Sequence, residues 1–513
     1  MSDETKSEET AATGGEKASD KEKASAKDAA VGSGKKVSRR AFVGGAVAGA
    51  AGAWGLSRGL TLIGDDPARP PQLYEYFLDN FWFKAADLEN QEINAPLKGS
   101  HKADIVIIGG GFTGLSSAYN LSRKFPDKKI VLLEGACCGY GASGRNGGFC
   151  DPGVPGLQRY IEANGPEAGR KAFDATLYGI EQVKELVTEH GVDCDFEENG
   201  MLMTAFDVEQ AAAMVKEHEA LKALGLESVL LQGDDLRAEI KSPRCIAGRK
   251  IPHGAILNPA KLARGMKPVV EKAGVEVRER TVVLRVTPGK THLIETEMGE
   301  ISAPVIVLGL NGYSSQIGQF RNRVMPLANY VLATEPLSKE QWESIGWKNR
   351  PGMADMRTLF NYSRPTADGR IVIGGSMAPY YAGDSLSSGN YKPAVKALTE
   401  DLFATFPQLE GLKIDHAWGG TMGFTWDFMP SVGVMGEHKN IYYGVAYNGE
   451  GVAFGQTAGR IISELMAGES TELTDLFVVN RKLPYHGPES TRLLAVRFYE
   501  WMLTRGAAKK TVG

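Results

Sequence analysis

One stretch limits the fold more than any other: Ala103–Gly114, ADIVIIGGGFTG. A short apolar run, Ile105–Ile108, leads directly into Gly109-x-Gly111-x-x-Gly114, and an apolar, helix-like stretch, Leu115–Leu121, follows. A second strand-like run, Lys129–Leu133, ends in Glu134. The order strand, glycine turn, helix, strand, acid is that of a Rossmann-like unit. Its three glycines serve a tight turn, a close approach of backbone to a pyrophosphate, and close packing of helix on strand. The N–H groups and positive dipole end of the helix, around Phe112 and Thr113, then face the phosphates. Glu134 lies about twenty residues beyond the glycines, where a carboxylate accepts hydrogen bonds from ribose hydroxyls. Gly135 stands where an NADP site often carries an arginine, so the pattern points to NAD or FAD without choosing between them.

The rest of the chain sets bounds. Its 513 residues give room for about two or three domains and a large core. The net charge of -4 gives no reason to expect nucleic acid as a partner. Five cysteines (Cys137, Cys138, Cys150, Cys194, Cys245) form no CxxC pair and read as reduced thiols. The histidines show neither HxH nor HExxH spacing, so no metal site is expected.

The N-terminal region divides into three. Residues 1–37 are rich in Glu, Lys, Ser, Ala and Gly and too poor in large apolar side chains to offset their ordering entropy, which predicts a disordered leader. Residues 38–60 place Arg39-Arg40 before a Gly/Ala-rich apolar segment, as in a twin-arginine export signal or anchor. That reading gives a periplasmic or membrane-associated protein; without it the protein is cytoplasmic. Residues 61–100 form an aromatic arm, with Phe81, Trp82 and Phe83, expected to be buried on the domain that follows.

Beyond Glu134 comes Gly139–Gly148, GYGASGRNGG, a loop of small residues whose backbone N–H groups, with Ser143, Arg145 and Asn146, suit a diphosphate and a flat ring. With Gly109–Gly114 and Glu134, this loop resembles the FAD-dependent oxidoreductases of the D-amino-acid oxidase type. It is especially similar to their gamma-glutamylputrescine oxidase branch, which carries GASGRNGG here. The resemblance runs from about Tyr74 to Met466.

The resemblance implies an α/β fold: a Rossmann-like FAD-binding domain assembled from residues 101–195, 252–325 and 426–470. Residues 196–251 and 326–425 would form an inserted α+β substrate domain on a mostly antiparallel sheet, and 471–513 a C-terminal helical tail. That tail is amphipathic and suits either docking on its own domain or a membrane surface. FAD is implied as cofactor, and noncovalently held, because the loop lacks the histidine some relatives use for attachment. Gly147 and Gly148 would lie against the flavin and Val283 beside the adenine. A closing glycine motif, Asn448-Gly449-Glu450-Gly451, has Asn448-Gly449 where the family usually has His-Gly. It opens a second helix aimed at the flavin, with Asn448, Gly449 and Gly451 as cofactor contacts.

Tyr362 and Arg364, two apart on one strand face, and Trp418, in a Trp-x-Gly…Asp-x-x-Pro signature, are the expected catalytic or substrate-facing residues. The activity implied is oxidation of the C–N bond of an amine or amino acid by hydride transfer to flavin, giving an imine and then a carbonyl product. The substrate would be a gamma-glutamylputrescine-like amine or a D-amino acid, and oxygen or a quinone would accept the electrons. Two alternatives stand beside it: a quinone- or carrier-linked dehydrogenase, and a flavin-binding redox subunit without a substrate of its own.

Overall fold

The computed structural model describes residues 80–153, 161–162, 164–375, 378–381, 386 and 392–510. The leader, the twin-arginine stretch, residues 61–79 of the arm and most of the helical pattern at Leu157–Asn164 lie outside the described residues.

The strands Ile105–Ile108 and Ile130–Leu133 are buried at every position, which is why both read as unbroken apolar runs. They pair in parallel at the centre of a six-stranded sheet. Val305–Leu308 and Ile441–Val445 continue it on one side and Glu276–Arg278 on the other, all parallel, and Ser431–Met435 closes one edge antiparallel. Alternation along each strand sends its side chains to two cores. Ile105, Ile107, Ile130 and Leu132 meet a helical layer, while Val106, Ile108, Val131 and Leu133 meet a second, four-stranded sheet.

The helical layer is made of Phe112–Lys124, Pro166–Thr188, Pro259–Lys272 and Ala453–Ala467. The first and last cross closely because Gly459 has no side chain; a Cβ there would stand 2.3 Å from Ser116 Oγ. Ser116 Oγ instead donates to the Gln456 carbonyl at 2.7 Å. Asn258 caps Pro259–Lys272 by accepting from the N–H groups of Ala260 and Lys261. Beyond its C-terminus, Gly274 takes the left-handed conformation.

The second large sheet has eight strands. Its order is Ile414–Phe424, Met325–Thr334, Ile371–Gly375, Asn361–Pro365, Gly352–Asp355, Met201–Ala205, Ala247–Ile251 and Val229–Leu231. Every pairing is antiparallel except that of Gly352–Asp355 with Met201–Ala205. The Asp368-Gly369 turn joins two of its strands, with Gly369 at φ +82°. This sheet stands as the substrate domain of the expected α/β architecture.

The arm enters as the short helix Phe81–Ala85, with Phe81, Trp82 and Phe83 all buried. They share a core with Tyr140, Ala260, Val331 and Trp418, so the arm joins both domains. The tail forms the helix Glu489–Lys510. Val496 and Leu493 pack against Met325, Leu327, Tyr380 and Trp426, while Leu494, Phe498 and Trp501 stay exposed. Among the described residues no helix is long and apolar enough to cross a membrane.

Candidate active site

A long cavity is lined by residues of both large sheets. One end is built by the Gly109–Gly114 turn. Gly109 takes φ +104°, and a Cβ on Gly114 would stand 1.8 Å from the Gly109 carbonyl oxygen, so neither position accepts a side chain. Gly109, Gly111, Phe112 and Thr113 line the cavity; Gly114 sits behind them as the packing glycine. No side chain caps the helix Phe112–Lys124 at Gly111, so its first turn is presented to the cavity, with the Phe112 N–H donated to Ser143 Oγ. Glu134 accepts from the N–H groups of Gly110 at 2.7 Å and Ala136 at 3.0 Å, which fixes its carboxyl on the wall. Burial pushes that carboxyl up to about 7 against the pull of these N–H groups. Val283 lines the same end through its strand start.

The middle of the cavity is the loop 141–148. Ser143, Arg145, Asn146 and Gly147 line it. Its carbonyls are held from behind by four side chains. Asn80 Nδ2 donates to Gly144 O at 3.3 Å, Trp418 Nε1 to Arg145 O at 2.9 Å, Trp82 Nε1 to Asn146 O at 2.8 Å, and Arg364 Nη1 to Gly148 O at 3.2 Å. Gly148 is therefore set back from the cavity; a Cβ there would fall 2.1 Å from Leu257 O and 2.6 Å from Arg364 Nη1. Arg145 is buried with its guanidinium against the rings of Tyr140 and Phe83, and its Nε donates to Tyr140 O at 2.8 Å.

Two of the three residues expected to face the substrate are thus placed elsewhere. Arg364 and Trp418 are buried behind the loop and do not line the cavity. Strand parity sets Tyr362 and Arg364 on one face, as expected, but Arg364 is one step deeper and its guanidinium is held by the carbonyls of Pro365, Leu257 and Gly148. Trp418 packs in the core beside Trp82 with ring centroids 6.1 Å apart. Tyr362 does line the cavity. Its ring fills the space that Gly147 and Gly374 leave open, and its hydroxyl donates to Asn329 Oδ1 at 3.1 Å.

The far end is closed by the third glycine element. Asn448, Gly449, Gly451 and Val452 line the cavity, and the helix Ala453–Ala467 starts there without a side-chain cap. Asn448 holds the left-handed conformation and accepts from the Thr425 N–H at 2.9 Å. Tyr447 Oη and Thr113 Oγ1 share a hydrogen bond of 2.6 Å, which ties the starts of the two helices together.

Two further residues here escape sequence reasoning. Asp151 and Glu450 both line the cavity and their carboxyls hydrogen-bond to each other. Burial raises both. The Asp151 carboxyl pushes Glu450 further up, well above the usual carboxylate range, while the hydrogen bond pulls Asp151 back down. A hydrogen bond between two carboxyl groups needs a proton on one of them, so the pair shares one proton and bears one negative charge. Burial raises the Tyr362 phenol well above its ordinary range, and the acid pair beside it raises it further through Glu450. The available signal was the single charged residue inside the otherwise small-residue motif Asn448–Gly451.

All five cysteines are free thiols, and neither Cys137, Cys138 nor Cys150 lines the cavity. Burial pushes the Cys137 thiol up to about 12, which removes its nucleophilic form at neutral pH.

A cavity with a glycine turn and helix N-terminus at one end, a buried carboxylate on its wall, and a second helix N-terminus at the other fits an extended dinucleotide whose far ring carries charge on reduction. These features define an FAD-dependent oxidoreductase. The chain belongs to the DAO family of FAD dependent oxidoreductases, whose profile matches residues 104–465. The gamma-glutamylputrescine oxidoreductase of Escherichia coli (strain K12) is 31% identical over 405 residues, covering 77% of this chain and 91% of that one. A glycine oxidase of Bacillus licheniformis is 24% identical over 397 residues, covering 75% and 98%. Among solved structures, glycine oxidase from Geobacillus kaustophilus superposes with a TM-score of 0.64 at 18% identity, covering 75% of this chain and all of that one.

Proposed function

We propose that the protein oxidises the C–N bond of an amine that enters as a cation, giving an imine that water converts to a carbonyl product. The observation that carries this reading is the Asp151–Glu450 pair beside Tyr362 in the flavin cavity. An α-amino acid needs a cation for its carboxylate. Among the described residues lining the cavity, the cation is Arg145, and its guanidinium is committed to Tyr140 O and to two aromatic rings. The acid pair has the opposite preference: it attracts an ammonium group.

FAD, when bound, supplies the acceptor for the hydride that leaves the α-carbon. The chain's own residues prepare the substrate. An alkylammonium has no nitrogen lone pair, so its proton must leave before the C–H bond can break as hydride. A carboxylate of the pair takes that proton, and the nitrogen lone pair then forms the C=N bond as the hydride departs. Tyr362, fixed by Asn329 and by the glycines around its ring, walls the space in which the amine is oriented. The similarity to gamma-glutamylputrescine oxidoreductase supports an amine with a polar group at its other end.

The test is anaerobic mixing of the holoenzyme with simple alkylamines, a diamine acylated at one end, and both enantiomers of several amino acids. Bleaching of the flavin by the amines, fastest with the acylated diamine, is the expected result. If no compound bleaches it, the redox-subunit reading replaces this one. If amino acids bleach it as fast as amines of equal length, the cation preference is wrong. Reoxidation then separates the acceptors: rapid reaction with air and peroxide formation marks an oxidase, slow reaction a carrier-linked dehydrogenase.

A further inference from the structure

The loop 142–148 keeps its shape by disposing of its carbonyls. Ala142 O accepts from the N–H groups of Arg145 and Asn146 and from Asn146 Nδ2, and Ser143 O also accepts from Asn146 Nδ2. The next three, Gly144 O, Arg145 O and Asn146 O, are each taken by a single side chain: Asn80, Trp418 and Trp82. Gly148 O is taken by Arg364 and by the Leu257 N–H. Of these side chains Asn80, Trp82, Trp418 and Arg364 do not line the cavity, and their donors reach the loop from behind it.

The donors are themselves interlocked. The Arg364 guanidinium lies over the Trp82 ring at 5.1 Å, and Trp82 meets Trp418 edge to face. Asn80 caps its own short helix, its Oδ1 accepting from the Phe83 N–H at 2.8 Å while its Nδ2 reaches Gly144 O. Phe83, one residue beyond Trp82, is a stacking partner of Arg145. Two of the four donors, and one face of the Arg145 sandwich, therefore come from the arm. The arm precedes the region matched by the family profile, which begins at residue 104.

A carbonyl turned away from a cavity leaves the positive end of its peptide dipole on the cavity side. Reduction of a flavin places negative charge on its ring, and fixed dipoles and cations beside that ring favour the reduced form. From these contacts we infer that the arm segment Asn80–Phe83 is a working part of the flavin site. With Trp418 and Arg364 it holds the loop carbonyls off the flavin, and so sets both the affinity for FAD and the reduction potential. In this arrangement Asn80, Trp82, Trp418 and Arg364 are positioning residues: they act on the flavin through the loop.

The experiment uses Trp82→Phe and Trp418→Phe in the full chain, which keep an aromatic ring and delete one N–H donor each. The readouts are FAD affinity of the apoprotein, the visible absorption spectrum and reduction potential of the holoenzyme, and the thermal midpoint of the apoprotein. Each variant is expected to bind FAD about fivefold to tenfold more weakly, the worth of one hydrogen bond. Each should also show a shifted flavin absorption band and a more negative potential. A lower apoprotein midpoint with unchanged spectrum, potential and FAD affinity would mean that the donors serve only folding, and would overturn the inference. Asn80→Ala removes a third donor of the same set. If either Trp variant does not fold, the same readouts on Asn80→Ala decide the matter.

Discussion

At its Gly109–Gly114 end the cavity is walled mainly by one contiguous stretch, Ala103–Glu134, with Val283 beside it, and its working groups are backbone N–H groups and a single acid. At its reacting end the wall is made of side chains from Asp151, Asn329, Tyr362 and Glu450, brought together from four distant segments. The first end depends on what is absent, since Gly109 and Gly114 leave room that no side chain can occupy. The second depends on what is present: a shared proton, a fixed phenol and a negative charge. A contiguous backbone site is rigid and tolerates little change. A dispersed side-chain site can be altered one group at a time while the fold remains.

That contrast can be broken by mutation. Gly114→Val carries the largest expected effect: its Cβ alone would overlap the Gly109 carbonyl, so the variant should purify without flavin and with a thermal midpoint many degrees lower. Recovery of yellow, stable protein would show the turn to be more plastic than its geometry implies. Next comes Glu450→Gln. It should retain FAD at wild-type affinity, yet its anaerobic rate of flavin reduction by an amine should fall about a hundredfold, in the range of a lost general base. The wild-type rate should rise with pH across a titration above the usual carboxylate range, and this rise should vanish in the variant.

A smaller effect belongs to Glu134. Its folded carboxyl titrates near 7, above the ordinary unfolded value, so the stability it supports is present below about 4.5 and lost as pH rises through 7. Apoprotein with Glu134→Gln should therefore gain on wild type between pH 5 and 8, by up to about 3 kcal/mol, in chemical denaturation. The same variant should bind FAD about tenfold more weakly, since an amide accepts ribose hydroxyls less well than a carboxylate. Tyr362→Phe should be the mildest, slowing reduction a few-fold with FAD affinity unchanged, because the ring keeps its place and only the Asn329 contact is lost.

The same division governs how much could be read from the chain. Ile105–Ile108, the three glycines and Glu134 are neighbours in sequence and in space, so spacing alone specifies their roles. The strand carrying Tyr362 and Arg364 shows where that logic stops. Alternation assigns a face but says nothing about depth, and the long Arg364 side chain reaches past the cavity to the Leu257 and Gly148 carbonyls. Trp418 was legible as part of a motif, but its indole N–H turns to Arg145 O, a partner 273 residues away. Asp151 and Glu450 acquire meaning only from each other, and nothing local marks either as half of a pair.

The way the flavin loop is braced also sets a timetable for synthesis. Its first brace, Asn80, lies near the beginning of the described chain, and its last, Trp418, comes only after the eight-stranded sheet is nearly finished. The helix at Ala453 that closes the far end follows later still. A ribosome-bound chain can complete the Rossmann unit early, but it holds an unfinished ring-binding half until the final hundred residues emerge. The ring-binding half is therefore complete only after Ala453–Ala467 has emerged and packed, and a chain cut before that helix should stay colourless.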